Sequence, residues 1–365
     1  MQAILQIVTA VYVPILAFTL AGYFLSLLLK RRRNQANTIP IEEQIPDVLA
    51  RFLSLVGIPI AVGNFIRKAE LNASVWLSPV VAWVAILLAI FLSVLLLRSS
   101  KRHYSAQTKT SFVLLSYIGN TSYMGFPVIL LLPQLGPQYF SSAVLYDILG
   151  TLLAGYGLGV IIIKSAILRS ARSMAVSGEG QSEPFSSPGC DAIQERDVAK
   201  QTGPSTVVGP GEPTPWVIAV ESLIKNPIFY AFFIGLFLKQ IPISDGIATI
   251  LNGIAWGSIM VALLVMGMRA QQLQTGGDLR LALQPVAIKT ILVPLIMGAA
   301  LTAVGFHGPQ RLVLVLQASM PCAFASLLLA EKYDLDLKLT VASILLSCLV
   351  FAFTMPIWVL MFTSW

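Results

Sequence analysis

The sequence predicts an all-helical protein that crosses a membrane ten times, as two inverted halves of five spans each. Three observations predict it: too few charged residues to clothe a soluble surface, apolar runs of membrane length, and one long polar segment that divides those runs five and five. Of 365 residues, 56% are hydrophobic and 11% charged, and the mean hydropathy is +0.80. A soluble domain carries about 25% charged residues, so lipid must cover much of this surface.

The apolar runs fall at about 3–29, 46–66, 76–97, 111–132, 138–163, 216–239, 246–268, 282–305, 311–330 and 339–362, each close to the ~20 residues a helix needs to cross the hydrocarbon. Strand-type alternation is absent, which removes a β-barrel from contention. The first run has no basic residue before it and is followed by "KRRR" (30–33), so it reads as a retained span rather than a cleaved signal.

Orientation follows from the basic residues. With residue 1 outside, 20 of the 24 Lys and Arg fall in 30–51, 98–109, 164–225, 269–289 and 331–338, against Arg67, Lys68, Lys239 and Arg311 on the other side. That bias places both termini outside the cytoplasm, and the compact chain reads as a bacterial inner-membrane protein. The net charge of +7 therefore reports topology, not nucleic-acid binding, because the cations sit at span ends and form no patch. Three cysteines, Cys190, Cys322 and Cys348, make no disulfide framework.

Residues 164–215 contain "SGEGQSEPFSSPG" and "QTGPSTVVGPGEPTP", too polar and too rich in Gly and Pro to bury a core. They read as a flexible cytoplasmic linker between a first repeat, 1–163, and a second, 216–365. The halves echo each other in "VPILAFTLAGYFL" (13–25) and "NPIFYAFFIGLFL" (226–238), which align Pro14 with Pro227, Gly22 with Gly235 and Phe24-Leu25 with Phe237-Leu238. Five spans is an odd number, so the second copy enters the membrane upside down, as in many secondary transporters.

Two spans are interrupted. "IGNTSYMGFP" (118–127) puts Asn120, Thr121 and Ser122 where lipid should be most apolar, with Gly119, Gly125 and Pro127 breaking the helix. "QASMPCAF" (317–324) does the same in the ninth span with Gln317, Ser319 and Pro321. Unpaired backbone at membrane depth survives only when buried in protein or lining a cavity. Paired half-helix N-termini there carry partial positive charge and suit an anion such as a carboxylate. Pro14, Pro59, Pro227 and Pro294 read as ordinary kinks.

"GNTSYMGFP" resembles the Gly-Asn-Thr-x-x-Met-Gly-x-Pro stretch of the auxin efflux carrier family. "SMPCAFASLLLAEKYDLDLKLTVASILLS" is similar to that family's ninth-span segment and "KNPIFYAFFIGL" to its sixth-span Asn-Pro motif. The resemblance implies the fold shared with bile-acid symporters, in which helices 4 and 9 cross at their breaks. It implies a substrate contact at Asn120, and crossover positions at Pro127 and Pro321. The implied cargo is an organic anion: auxin in plants, small dicarboxylates in several bacterial members. The third span, 76–97, lacks the acid and lysine of plant members, which puts auxin itself in doubt.

Asp147 and Lys289 are the two ionisable residues well inside the runs. An intramembrane carboxyl must be hydrogen-bonded, paired or protonated, so Asp147 is a proton or ion site or a structural tie. Lys289 either snorkels to the interface or serves as a counter-charge. Glu221 and Lys225 read as a surface i, i+4 pair. His103 and His307 fall at span boundaries and suggest no metal, and no nucleotide, nucleophile or cofactor motif is present. The reading is a secondary transporter, not an enzyme, that carries a small organic carboxylate by alternating access. Sodium-coupled symport and a non-transporting receptor are the alternatives. A proton or sodium ion as coupling partner and a homodimer stay open.

Overall fold

The computed structural model describes residues 8–33, 41–176, 215–273 and 277–363. They form thirteen helices: α1 (Thr9–Leu29), α2 (Ile45–Lys68), α3 (Ala73–Ser99), α4 (Ala106–Tyr117), α5 (Thr121–Leu131), α6 (140–176), α7 (Pro215–Ile224), α8 (Pro227–Leu238), α9 (Asp245–Gln271), α10 (Leu279–Ala303), α11 (Pro309–Ser319), α12 (Phe324–Lys332) and α13 (Leu337–Thr363). Six of these, α1, α2, α3, α9, α10 and α13, are long and apolar enough to cross a membrane. Among the described residues there is no strand, only one isolated bridge between Gly119 and Cys322. The predicted runs 111–132, 216–239 and 311–330 are each divided between two shorter helices, and nearly all of 138–163 falls in α6, which continues to Val176 past the expected start of the linker. The "IIIKSAILRSARSMAV" sequence (161–176) has no Gly or Pro to stop it. Most of the linker, with Cys190, lies outside the described residues.

Four prolines share one local pattern. Wide π-type turns at Val8–Tyr12, Leu53–Gly57, Thr121–Gly125 and Ile288–Leu292 each end two residues before a proline: Pro14, Pro59, Pro127 and Pro294. Proline has no N–H to donate and its ring clashes with the carbonyl four residues back; one extra residue in the turn relieves the clash. The carbonyl so freed still needs a donor, because lipid supplies none. In α13, Pro356 orphans the carbonyl of Ala352, and the Tyr12 hydroxyl of α1 donates to it. Two further wide turns in α6, Asp147–Leu152 and Ala154–Leu158, have no proline and overlap the glycine-rich "GTLLAGYGLG" (150–159). There the Trp83 indole donates to the Leu149 carbonyl at 2.9 Å.

Helix packing separates two groups. α1, α2, α8 and α9 lie against one another, and α3, α4, α6, α10, α11 and α13 pack together beside them. In the first group backbone meets backbone. A Cβ at Gly22 would stand 2.0 Å from the Leu264 carbonyl oxygen, and one at Gly267 1.9 Å from that of Thr19, so α1 and α9 touch with nothing between them. Gly235 of α8 likewise abuts the Gly63 carbonyl of α2, at 2.7 Å from its would-be Cβ. Small residues that allow such approach are how membrane helices gain packing without a hydrophobic drive between them. The outward faces stay apolar: Val13, Leu20, Phe24 and Leu28 on α1, and Leu349, Phe353, Ile357 and Leu360 on α13, are exposed at helical spacing.

Candidate functional site

The site is built where two interrupted helices meet. α4 stops at Tyr117, and Ile118 turns extended. α11 stops at Ser319, and Met320 is extended because the ring of Pro321 excludes the helical conformation from the residue before it. The two breaks then pair as a minimal antiparallel bridge. Asn120 N–H donates to the Pro321 carbonyl at 2.8 Å, and Ala323 N–H to the Ile118 carbonyl at 3.0 Å. Cys322 N–H donates to the Ser347 hydroxyl of α13 at 3.0 Å. Each break thus satisfies backbone groups of the other, which is why neither is exposed to lipid.

From this bridge the chain restarts as α5 and α12. The Asn120 carbonyl accepts from Met124 and Gly125 N–H at 3.3 and 3.1 Å, closing the first wide turn of α5. The amides of a first helical turn have no intrahelical partner and carry partial positive charge. Two such turns, at Thr121 and Phe324, begin beside the bridge.

The sequence-predicted residues divide into two sets. Thr121 and Ser122 turn to Asp147 of α6: the Thr121 hydroxyl donates to one carboxyl oxygen and the Ser122 hydroxyl to the other, the latter at 2.6 Å. Asp147 is only 4% exposed and forms no ion pair among the described residues. Ser319 donates to the Leu316 carbonyl of its own helix at 2.8 Å. Pro127 is buried at the start of the regular part of α5, and Pro321 gives its carbonyl to the bridge. These side chains are engaged in building the crossover.

The second set is underused. Asn120, 6% exposed, offers its amide Nδ2, among the described residues, only to the thioether sulfur of Met266 on α9, at 3.9 Å. Gln317 is 0% exposed, and neither its Oε1 nor its Nε2 has a hydrogen-bond partner among the described residues. It lies against Gly125, where a Cβ would stand 2.7 Å from Oε1, so Gly125 is the space that admits the amide. Lys289 does not snorkel out. It is 5% exposed, its Cε and Nζ lie 2.9 Å from where a Gly119 Cβ would be, and it makes no ion pair or hydrogen bond among the described residues. An ammonium, an amide donor and a complete amide thus stand around the bridge without strong acceptors. No group of three His, Cys, Asp or Glu able to hold a metal occurs among the described residues.

Three residues escaped the sequence reading. Met266 gave no signal, being one apolar residue in an apolar span. Tyr123 reaches from α5 to α2, with its hydroxyl 2.9 Å from that of Ser54. Arg311, counted above at a span end, is buried: it donates to the Thr302 hydroxyl at 2.8 Å and the Phe362 carbonyl at 3.2 Å, and lies 5.4 Å from the Phe362 ring centroid. Buried cations among the described residues therefore include Arg311 as well as Lys289.

A family model described as Membrane transport protein matches residues 6–359. The chain belongs to that family, the auxin efflux carrier family. It is therefore an integral, multi-pass membrane protein. An uncharacterized transporter of Methanothermobacter thermautotrophicus is 25% identical to it over 141 residues, which cover 37% of this chain and 47% of that protein. The chain thus spans less than half the length of that relative.

Proposed function

We propose that this transporter carries a small organic carboxylate by alternating access, with ten spans in two inverted halves. The single observation that carries the reading is the bridged pair of helix breaks, with Asn120, Gln317 and Lys289 around it lacking strong partners. A carboxylate supplies the acceptors these groups lack, and the amide-rich starts of α5 and α12 complement its charge. Asn120 and Gln317 are assigned to the substrate directly. Gly125, Pro127 and Pro321 shape the backbone, and Thr121, Ser122 and Ser319 hold it. With both its oxygens taken, Asp147 positions the first turn of α5. Lys289 is the counter-charge.

The inverted-repeat reading draws support from a matched pair. Gly22 and Gly235, aligned between the halves, both make backbone contacts: the first run with the seventh, the sixth with the second. That is the cross-pairing a pseudo-two-fold relation requires. The split into two helix groups suits rocking of one group against the other. A negative interior favours monoanion efflux by about 2.3 kcal/mol per charge at 100 mV.

The test is uptake of labelled malate, succinate and indole-3-acetate into proteoliposomes, under an imposed potential, a pH gradient or a sodium gradient. Saturable flux that Asn120→Ala lowers at least tenfold, with folded yield unchanged, supports the reading. Specific binding without flux replaces the carrier with a receptor.

A further inference from the structure

We propose that Met266 is a displaceable plug, a thioether that occupies the carboxylate's place on Asn120 while the site is empty and sets the substrate's apparent affinity. The inference rests on the carrier reading above. Met266 is 8% exposed, and its sulfur is the partner of the Asn120 amide at 3.9 Å. It comes from α9, in the other helix group, so the contact spans the boundary between the groups. Asn120, by contrast, is held on the crossover through its backbone.

The chemistry of the pair fits a plug. A thioether is a weak acceptor, flexible and apolar. It keeps the amide dry and loosely satisfied at low cost to a better acceptor that arrives. A carbonyl or amide oxygen in that place would hold Asn120 more firmly and compete with substrate. No side chain at all would leave a buried donor unsatisfied. The position is also fixed. The next residue, Gly267, meets the Thr19 carbonyl so closely that α9 cannot roll or slide on α1 without losing that contact. Ser26 and Gln271, 2.9 Å apart, add a second tie between these helices. Met266 is thus presented from a clamped helix pair, and its flexible side chain is the part that can yield. Departure of the sulfur from Asn120 requires either a rotamer change or separation of the two groups, and both belong to opening the site.

The experiment compares wild-type protein with Met266→Leu and Met266→Gln in proteoliposomes, using labelled malate, succinate and indole-3-acetate over a range of concentrations. Leucine keeps volume and removes the weak acceptor, so the half-saturating concentration stays equal to or below that of wild type. Glutamine offers Asn120 a full hydrogen bond, worth about 1 kcal/mol, so half-saturation rises by about fivefold while maximal flux changes less than twofold. A merely structural methionine would instead lower maximal flux and folded yield in both variants and leave half-saturation unmoved, and that result overturns the proposal. Unchanged half-saturation in Met266→Gln overturns it equally, with the carrier reading intact. Absence of flux in wild-type protein overturns the carrier reading, and the plug with it.

Discussion

Asp147 separates a positioning role from a charge-coupling role most sharply. The perturbations are Asp147→Asn and Asp147→Ala. Both carboxyl oxygens accept hydroxyl donors from the first turn of α5: Thr121, which is buried, and Ser122, which is partly so. Asparagine is isosteric. Its Oδ1 accepts from one hydroxyl, and its Nδ2 donates to the other, since a hydroxyl is both donor and acceptor. The loss is then the difference between a charge-assisted and a neutral bond, about 1 kcal/mol. Alanine removes both acceptors. A buried hydroxyl left unsatisfied costs about 1–3 kcal/mol, and the half-buried Ser122 less, for a total of about 2–4 kcal/mol. Membrane hydrogen bonds average only ~0.6 kcal/mol because the reference state finds other partners, so the total falls toward the lower end of that range. The assay is thermal unfolding in detergent paired with proteoliposome flux. The expected result is near-wild-type stability and flux within about threefold of wild type for Asp147→Asn, with both reduced in Asp147→Ala. An Asp147→Asn protein that folds normally but transports nothing would refute the positioning argument and make the carboxylate's charge part of the cycle.

Two further outcomes follow from packing and charge. Gly267→Ala forces a Cβ to 1.9 Å from the Thr19 oxygen, so α1 and α9 must part, at about 1–3 kcal/mol or more; Gly253→Ala on the same helix meets nothing within 4 Å and gains about 1 kcal/mol of helix propensity. Opposite shifts of the unfolding midpoint are expected, and equal shifts would contradict the close contact. Lys289→Met removes a buried ammonium that no acceptor among the described residues compensates, so stability holds or rises while carboxylate flux falls at least tenfold. Unchanged flux in that variant would strip Lys289 of its role as counter-charge.

The composition and the run lengths determined on their own that the chain is helical and lives in lipid, because a helix is the only open segment whose backbone satisfies itself there. The break at 118–127 was legible for the same reason: Gly119, Gly125, Pro127 and three polar residues have no place in an uninterrupted span. The wide turns before Pro14, Pro59 and Pro294 follow from the ring's steric demands, and the sequence reading passed over them as simple kinking.

Tertiary structure decided which polar groups spend their hydrogen-bonding capacity on the protein. Thr121, Ser122 and Asn120 are consecutive in sequence and look alike as candidates, yet the first two are consumed by Asp147, some twenty-five residues further along the chain, and the side-chain amide of the third meets, among the described residues, only a sulfur. Lys289 and Met266 acquire their meaning from Gly119 and Asn120, distant partners that no local pattern announces. Local sequence fixes where a helix must break, since clash and missing donors act within a few residues. What fills the break depends on side chains brought there from the other half of the chain, and that is a matter of packing.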